Sequence, residues 1–232
     1  MVWYKIRNII TTCVIEVTKM DYNQAYRDIE HLFGVEPEPL LKRCYMELDM
    51  TKPVLDIGAG QGRNCLFLAR EGFDVVAIEP SAVGIEAIST SAAKEGLSVQ
   101  AHQTTFEAFR PGSCQFGGFL VFGLIQELPR ESIELLISRI NSWTMAGSFV
   151  FVTCFTTDDS AYPRISKEWK NIGKRSFADE DGTIRTYLEP KEILGMFGGY
   201  KVIHHWEGFG PMHRHGDGPP EQHAKAELVI QR

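Results

Sequence analysis

The sequence lacks three features that would tie it to a particular location or partner. Its five cysteines are scattered and form no Cys-x-x-Cys pair, which predicts a reducing, cytoplasmic setting without structural disulfides. It has no apolar run long enough to span a bilayer, so no membrane partner is expected. Its net charge is −6 and no cluster of Lys and Arg occurs, whereas nucleic-acid-binding domains usually carry a basic patch. These absences favour a protein that acts on small molecules.

The length and composition allow one domain with a sizeable core. The chain has 232 residues, of which 44% are hydrophobic and 23% charged, as is usual for a soluble globular protein. Near the start, an apolar patch follows Lys5 and Arg7, but Glu16 and Lys19 interrupt it and no small-residue cleavage site follows. We therefore expect residues 1–19 to be an N-terminal extension and residues 20–232 to form the domain, as a monomer or a homodimer.

Residues 54–64 are the stretch around which the chain is organised. They read Val-Leu-Asp-Ile-Gly-Ala-Gly-Gln-Gly-Arg-Asn, which predicts a short buried strand ending near Asp56, a glycine-rich turn and the start of a helix. Glycine lets the backbone turn sharply and approach a ligand closely. A strand, a glycine turn and a helix form the unit with which an open α/β sheet binds a nucleoside at its carboxyl edge.

The next predicted strand adds an acidic side chain. Residues 73–78 form a second apolar run, which ends in Glu79 and Pro80. A carboxylate at this position suits hydrogen bonds from both hydroxyls of a ribose. Glu79 follows Gly62 by 17 residues, so the acid and the glycine turn are expected on adjacent strands.

The glycine spacing favours one kind of nucleoside. Dinucleotide sites prefer Gly-x-Gly-x-x-Gly, whereas here Gly58, Gly60 and Gly62 alternate and Arg63 stands in place of the third dinucleotide glycine. Asp56 would repel a phosphate but suits an ammonium group. A ligand with a ribose, an amino-acid tail and no phosphate fits, namely S-adenosylmethionine (SAM). A βαβ unit that binds another nucleotide, or nothing, is the alternative.

These residues resemble a known family. Residues 53–81 resemble motif I and the following acidic motif of class I SAM-dependent methyltransferases. The continuation over residues 61–64, Gln-Gly-Arg-Asn, is similar to the small-molecule branch that includes tellurite-resistance and thiol methyltransferases. The resemblance implies an α/β fold: a Rossmann-like, doubly wound, seven-stranded and mostly parallel sheet with an antiparallel last strand and helices on both faces. It also implies that SAM is converted to S-adenosyl-L-homocysteine (SAH).

The resemblance further implies which residues meet the cofactor. Helices within residues 20–50 would form a lid, with Tyr22, Tyr26 and Arg27 as candidates, although the tyrosines could simply pack on the sheet. Thr105 stands where the family often has an Asp that accepts a hydrogen bond from adenine, and Phe106 could stack on that base; Glu107 is another candidate for the acid. The expected cofactor contacts are Asp56, Gly58, Gly60, Gly62, Asn64, Glu79, Pro80, Thr105, Phe106, Phe122 and Gly123.

The methyl acceptor is expected at the carboxyl edge beyond the fourth strand. Glu127 follows that strand, either as a base or substrate anchor or as the N-terminal charge of the next helix. Residues 156–188 form an insertion long enough to cover the acceptor. Its aromatic residues Tyr162, Trp169 and Phe177 could line the acceptor pocket.

Five of the seven histidines lie within residues 204–223. They could act as acids and bases, with His204 and His215 as the candidates. They could bind a metal or metalloid, or serve only the hydrogen bonds of a Gly/Pro loop. The spacing matches no standard zinc site, so no metal is expected.

The expected activity is methyl transfer from SAM to a small-molecule acceptor. The cofactor supplies the electrophile, so the protein must mainly align the acceptor and exclude water. The lack of one obvious base is compatible with a thiol or a metalloid or chalcogen acceptor, which ionises readily. An oxygen or nitrogen acceptor, or a SAM- or SAH-binding protein without catalysis, are the alternatives.

Overall fold

The computed structural model describes residues 21–214 and 220–232. The predicted extension over residues 1–19 lies outside them. In chain order the strands are β1 (Val54–Ile57), β2 (Val75–Glu79), β3 (Val99–Gln103), β4 (Phe116–Val121), β5 (Thr144–Phe155), β6 (Lys170–Gly173), β7 (Ser176–Ala178), β8 (Ile184–Thr186), β9 (Lys201–Phe209) and β10 (Ala224–Gln231). The α-helices are α1 (Tyr22–Asp28), α2 (Pro39–Cys44), α3 (Arg63–Arg70), α4 (Ala82–Glu95), α5 (Arg130–Trp143), α6 (Tyr162–Glu168) and α7 (Glu192–Met196).

Seven strands form the central sheet in the order β3-β2-β1-β4-β5-β10-β9. Neighbours from β3 to β5 are parallel, whereas β10 is antiparallel to both β5 and β9. The sheet order reverses at β1 and β4, the position at which open α/β sheets bind ligands beyond their carboxyl ends. The predicted fold class is therefore confirmed, including the antiparallel last strand.

Helices cover both faces of this sheet. Strands β1, β2 and β4 are buried at every residue, because a parallel sheet between two helical layers has no face in water. On one face the sheet packs against apolar side chains of α5 and α7, and on the other against those of α2, α3 and α4. The predicted apolar stripe of α5, Ile133, Leu136, Ile137 and Ile140, is buried in the first of these layers.

Several element boundaries differ from the sequence-based expectation. The apolar spacing over residues 21–48 predicts a helix broken at Pro37 and Pro39, whereas the structure has two short helices, because Pro39 begins α2. The apolar run over residues 118–125 predicts a strand to Ile125, but β4 stops at Val121 because Gly123 turns the chain at φ 67°. A glycine at position 96 predicts the end of the preceding helix, and α4 does end there, with φ 68° at Gly96.

The insertion over residues 156–188 folds as α6 followed by a three-stranded antiparallel sheet, β6-β7-β8. The Thr186 hydroxyl donates to the Leu128 carbonyl at 2.6 Å, and the Arg130 amide donates to Ser176 Oγ at 3.1 Å. These bonds hold the small sheet against the segment that follows β4, so it lies beside the carboxyl edge of the main sheet. None of the helices described is long and apolar enough to cross a membrane.

Candidate active site

The glycine turn after β1 adopts a backbone conformation that requires glycine. Gly58, Gly60 and Gly62 have φ values of 75°, 58° and 95°, a region that side chains rarely allow. Gly62 also has no room for a side chain, since an added Cβ would lie 2.7 Å from Ile88 Cγ1 on α4. The alternating glycines thus serve both the turn and the close packing of α4 against it.

Glu79 is fixed at the end of β2, facing the glycine turn. Its side chain is only 5% exposed and accepts the Gly60 amide at 3.0 Å and the Ser81 amide at 2.9 Å. A carboxylate can accept about four hydrogen bonds, and these two backbone donors fix its orientation beside the glycine turn. The predicted meeting of the acid and the glycine turn therefore occurs.

Gly84 is a residue of this site that the sequence analysis missed. An added Cβ there would lie 2.5 Å from the Gly60 carbonyl oxygen and 3.1 Å from Glu79 Cγ. The first turn of α4 can approach the glycine turn only because Gly84 has no side chain. The available signal was a glycine inside a helical pattern, which costs helix stability unless packing requires it.

Asp56 is a buried acid with an unsatisfied oxygen. The residue is 2% exposed, and Oδ2 has no hydrogen-bond partner among the described residues. Burial raises the pKa of Asp56 to about 7; Arg63 opposes this shift and Glu79 adds to it. A buried carboxylate without a partner is costly, which is consistent with a position that binds a cationic group.

Tyr26 of α1 lies against the glycine turn, and the ring of Tyr22 lies 5.5 Å from that of Tyr26. A Cβ added at Gly60 would lie 3.1 Å from the Tyr26 hydroxyl, and Tyr26 is 6% exposed. The Tyr22 hydroxyl donates to Glu127. Burial and then the charge of Glu127 raise the pKa of Tyr22 well above its usual range. Burial and then the charge of Glu79 do the same for the pKa of Tyr26, so both hydroxyls stay neutral.

Polar side chains join the N-terminal segment, residues 21–32, to the glycine turn and to the start of α4. The Gln61 amide accepts the Leu32 N–H at 2.8 Å and donates to the Ile29 carbonyl at 3.1 Å. Asn23 Oδ1 accepts the Ser81 hydroxyl at 2.9 Å. Neither residue was singled out from the sequence, because each bond joins residues that are 29 or more positions apart.

Asn64, predicted to meet the cofactor, is engaged with the residues that follow this segment. Its Oδ1 accepts the Glu38 amide at 2.8 Å, and both residues are buried. Glu38 also pairs with Arg63 at 3.2 Å and with Lys225 of β10 at 2.8 Å. In this structure Asn64 therefore positions the segment before α2.

The remaining predicted cofactor residues surround the same edge. The Thr104 amide donates to the Glu79 carbonyl at 3.1 Å. The next residue, Thr105, is exposed, and Phe106 is buried in the core. The Gly123 amide donates to Thr153 Oγ1 at 3.2 Å. Pro80 and Phe122 lie directly after β2 and β4.

Glu127 lies at the edge where the methyl acceptor is expected. Its Oε1 accepts a hydrogen bond from Arg185 Nη1 at 2.7 Å, and both side chains are largely shielded from solvent. Arg185 is in β8, so the insertion supplies a cation to the carboxyl edge of β4. With Tyr22, these residues form a chain of contacts from the lid to the insertion.

Aromatic rings of the insertion pack into one cluster. The ring of Tyr162 lies 6.2 Å from that of Phe177 and 5.1 Å from that of Tyr187, and Trp169 packs against the same group. The Phe155 ring at the end of β5 lies 6.2 Å from that of Tyr187. The three aromatic residues selected from the sequence are thus brought together, with Tyr187 and Phe155 as members it missed.

Of the two predicted catalytic histidines, His204 is described, and it does not lie at this edge. His204 lies within β9, paired with Val229, and its Nε2 is 3.6 Å from Glu227 Oε2. Glu227 also binds Arg43 at 2.6 Å and Lys225 at 3.2 Å, so His204 belongs to an ion-pair cluster beside α2. His215 lies outside the described residues.

His223, which was not selected, lies at the carboxyl edge instead. Its Nδ1 is 2.9 Å from Oδ2 of Asp159, a carboxylate that is 1% exposed, and its ring stacks on Phe155 at 4.3 Å. Burial disfavours the charged imidazole, but the hydrogen bonds to Asp159 and Glu221 prevail and raise the pKa of His223. The pair joins the segment after β5 to the residue before β10.

The family follows from this geometry and from a comparison with known proteins. Residues 54–169 match the model of the methyltransferase domain family. That match covers half of the chain, so the chain belongs to this family. Its fold, motif I and acidic motif place it among the class I SAM-dependent methyltransferases, whose cofactor is SAM, as the resemblance predicted.

Curated relatives are similar over part of the chain. Ubiquinone biosynthesis O-methyltransferase of Brucella anthropi is 28% identical over 109 residues, which is 47% of this chain and 43% of that protein. The probable SAM-dependent methyltransferase TehB of Haemophilus influenzae is 26% identical over 151 residues, 56% of this chain and 52% of that protein. The chain thus spans about half the length, or less, of these curated relatives.

Solved structures share the fold at lower identity. The crystal structure of TehB from Haemophilus influenzae has a TM-score of 0.64 at 16% identity and covers 83% of this chain and 61% of that chain. The 1,6-didemethyltoxoflavin-N1-methyltransferase of Burkholderia thailandensis, with its substrate and SAH bound, has a TM-score of 0.64 at 14% identity and covers 91% of this chain and 85% of that chain.

Proposed function

We propose that this chain transfers the methyl group of SAM to a small molecule bound beyond the carboxyl ends of β4 and β5. The observation that carries the proposal is the carboxylate of Glu79, which the Gly60 and Ser81 amides fix across a glycine turn beside the unsatisfied Asp56. This arrangement offers acceptors for ribose hydroxyls and for an ammonium group.

Each part of SAM has a matching group along the sheet edge. Glu79 would accept the ribose hydroxyls, and Asp56 would stabilise the ammonium of the methionine moiety. The adenine would lie near Thr105 and Phe106, which follow β3, the neighbour of β2. The reactive methyl group would then point toward β4 and β5, where Phe122 and Gly123 begin the acceptor side.

The protein's contribution to the reaction is alignment and exclusion of water. Methyl transfer is a displacement at the carbon on sulfur, so the acceptor, the methyl group and the sulfur must lie in line. Tyr26 lies against the glycine turn with Tyr22 beside it, and the Gln61 amide holds the segment that carries them. For the cofactor to enter, α1 must move aside and return, which would close the site to water.

For the acceptor, we propose a thiol or a reduced chalcogen or metalloid species. Glu127 is paired with Arg185 and accepts the Tyr22 hydroxyl, so we assign its carboxylate to positioning these two side chains and not to removing a proton from the acceptor. A thiol, with a pKa of about 8.5, ionises in part near neutral pH without such help. The Arg185 guanidinium would favour the resulting anion, and the cluster of Phe155, Tyr162 and Tyr187 would pack against its apolar part.

A hydroxyl acceptor is the second candidate, because one pair of residues could serve it. Asp159 holds His223 at 2.9 Å at the same edge, an arrangement in which the imidazole can remove a proton. The similarity to a ubiquinone biosynthesis O-methyltransferase supports the same candidate. His223 would then be essential for a phenol, with a pKa of about 10, but not for a thiol.

We propose the cytoplasm as the location, as a monomer or a homodimer without a nucleic-acid partner. The four cysteines within the described residues, Cys44, Cys65, Cys114 and Cys154, are all unpaired thiols. This agrees with a reducing compartment.

The experiment measures SAH release from purified chain and SAM with small thiols, phenols and amines as acceptors. We expect tight SAM binding by calorimetry and turnover with thiols, retained in His223→Ala. Turnover confined to phenols and lost in His223→Ala would favour the second candidate. Binding of SAM without turnover on any acceptor would reject the proposed reaction while keeping the cofactor site, and a chain indifferent to both SAM and SAH would reject both.

A further inference from the structure

The segment between β9 and β10 brings two imidazoles and a carboxylate together. The His213 amide donates to the Glu221 carbonyl at 2.9 Å and the Glu221 amide donates to the His213 carbonyl at 2.8 Å, so these residues lie opposite each other as an antiparallel pair. His223 follows two positions later, where an extended chain returns to the same face. One ligand atom from each of the three side chains lies within 4.8 Å of the other two.

Both imidazoles are held through Nδ1. His213 Nδ1 lies 3.2 Å from the Pro211 carbonyl oxygen, and His223 Nδ1 lies 2.9 Å from Asp159 Oδ2. An oxygen acceptor at Nδ1 fixes the tautomer and makes Nε2 the atom that can bind a metal ion. Metal-binding histidines almost always have such a partner, either a carbonyl or a carboxylate.

Glu221 contacts the other nitrogen of the same imidazole, since its Oε2 lies 3.3 Å from His223 Nε2. Without a metal ion, a protonated His223 can donate to both Asp159 and Glu221. A metal ion on Nε2 would take the place of the proton that faces Glu221. Ligand atoms around a tetrahedral ion with bonds of about 2.1 Å are about 3.4 Å apart, and the approach of His213 supplies the second nitrogen that an ion needs and a proton does not.

We propose that His213, Glu221 and His223 bind one divalent transition-metal ion, for which Zn²⁺ is the best match, and that Asp159 positions His223. Two imidazoles and one carboxylate form a donor set that Zn²⁺ accepts, with the fourth position open to water or an anion. Mg²⁺ and Ca²⁺ prefer oxygen ligands and fit less well. The sequence spacing predicted no metal because the set depends on the cross-strand pair.

The metal-site proposal does not depend on the methyl-transfer proposal, but an occupied site would limit which methyl acceptors the chain can use. The ion would fasten both arms of the segment between β9 and β10 at the carboxyl edge. An ion on Nε2 would also prevent His223 from acting as a base, so the metal-bound chain would favour acceptors that ionise unaided.

The test uses the full chain without a histidine tag, stripped with a chelator and titrated with Zn²⁺ against a chromophoric competitor. We expect one Zn²⁺ per chain and a rise in the unfolding temperature on binding. His213→Ala, His223→Ala and Glu221→Gln should each lose this binding, whereas His102→Ala, an exposed histidine on β3, should retain it. Circular dichroism and SAH binding check that each variant is folded.

The role of Asp159 has its own measurement. Asp159→Asn should weaken Zn²⁺ binding by about 10- to 100-fold while the stoichiometry stays at one. With Co²⁺ as the probe, the visible absorption of a low-coordinate site should appear in the native chain and be absent in His223→Ala. The proposal is overturned if Zn²⁺ does not bind, or if it binds equally well to the three ligand variants and to His102→Ala.

Discussion

The two ends of the carboxyl edge are built in different ways. On the cofactor side, Glu79 reaches the Gly60 amide across 19 positions and the Ser81 amide across two, all within one βαβ unit. On the acceptor side, Glu127 meets Arg185 across 58 positions and Asp159 meets His223 across 64. The cofactor side is therefore a local structure, whereas the acceptor side is assembled from distant segments and can vary without disturbing it.

The largest expected effect is a loss of cofactor affinity when Glu79 is replaced. Glu79→Ala removes the acceptor for ribose hydroxyls and for two backbone amides, so SAH affinity should fall about 10- to 150-fold, or about 1.4–3 kcal/mol. Calorimetry measures the loss, with Glu86→Ala, an exposed acid on α4, as the matched control. Unchanged affinity in the Glu79 variant would contradict its role at the ribose.

A somewhat smaller effect should fall on the acceptor side alone. Arg185→Ala leaves Glu127 without its cation, and kcat/KM for the acceptor should drop about tenfold, the value of one charge-assisted hydrogen bond. SAH affinity should stay within about twofold. Arg164→Ala, an exposed arginine on α6 paired with Glu168, is the control. An equal loss of SAH affinity would mean that the two sides are coupled.

Asp56 should make cofactor binding depend on pH. Burial first, then Glu79, against Arg63, gives this acid a pKa of about 7. Its carboxylate should therefore be about eight times more ionised at pH 7.5 than at pH 6, and SAH, whose amino group stays protonated over this range, should bind about eightfold more weakly at pH 6. Asp56→Asn should bind SAH weakly with a flat profile; Asp74→Asn should keep the native one.

Asp56 should also make the free energy of unfolding of the free chain depend on pH. This free energy should fall as the pH rises, whereas SAH affinity should increase. The folded pKa of this acid lies above the ordinary value of about 3.9, so the folded chain keeps a proton that the unfolded chain releases. The free energy of unfolding should therefore decline between about pH 4 and pH 7, and Asp56→Asn should reduce that decline. Thermal unfolding at several pH values measures it, and an unchanged slope in the variant would contradict the shifted pKa.

The smallest expected effect concerns the lid. Gln61→Ala removes the amide that holds Leu32 and Ile29. Two hydrogen bonds of about 1 kcal/mol each are lost and partly replaced by bonds to water, so SAH should be released about three- to fivefold faster. Stopped-flow fluorescence measures the release rate, with Gln24→Ala, an exposed residue of α1, for comparison. A native rate in Gln61→Ala would mean that α1 does not control release.

The sequence predicted the parts of the molecule in which neighbouring residues dictate the structure. The glycine turn, Glu79 and the stripe of α5 follow from local spacing, because turn geometry and helical periodicity act over a few residues. Glu127 was found from its place after β4, but its partner Arg185 was not, since only the folded insertion brings them together. His204 was preferred over His223 because spacing alone does not reveal how far along a strand a residue lies from the sheet edge.

The position of β10 has a consequence for synthesis of the protein. This strand follows β9 in the chain but lies between β5 and β9 in the sheet, so neither neighbour has its partner until residues 224–231 have left the ribosome. Until then β5 presents an unpaired edge whose residues 149–155 read Phe-Val-Phe-Val-Thr-Cys-Phe, an uncharged segment of the kind that joins other chains as an extra strand. We therefore expect the nascent chain to expose this strand edge, and to be open to aggregation there, until β10 has been synthesised.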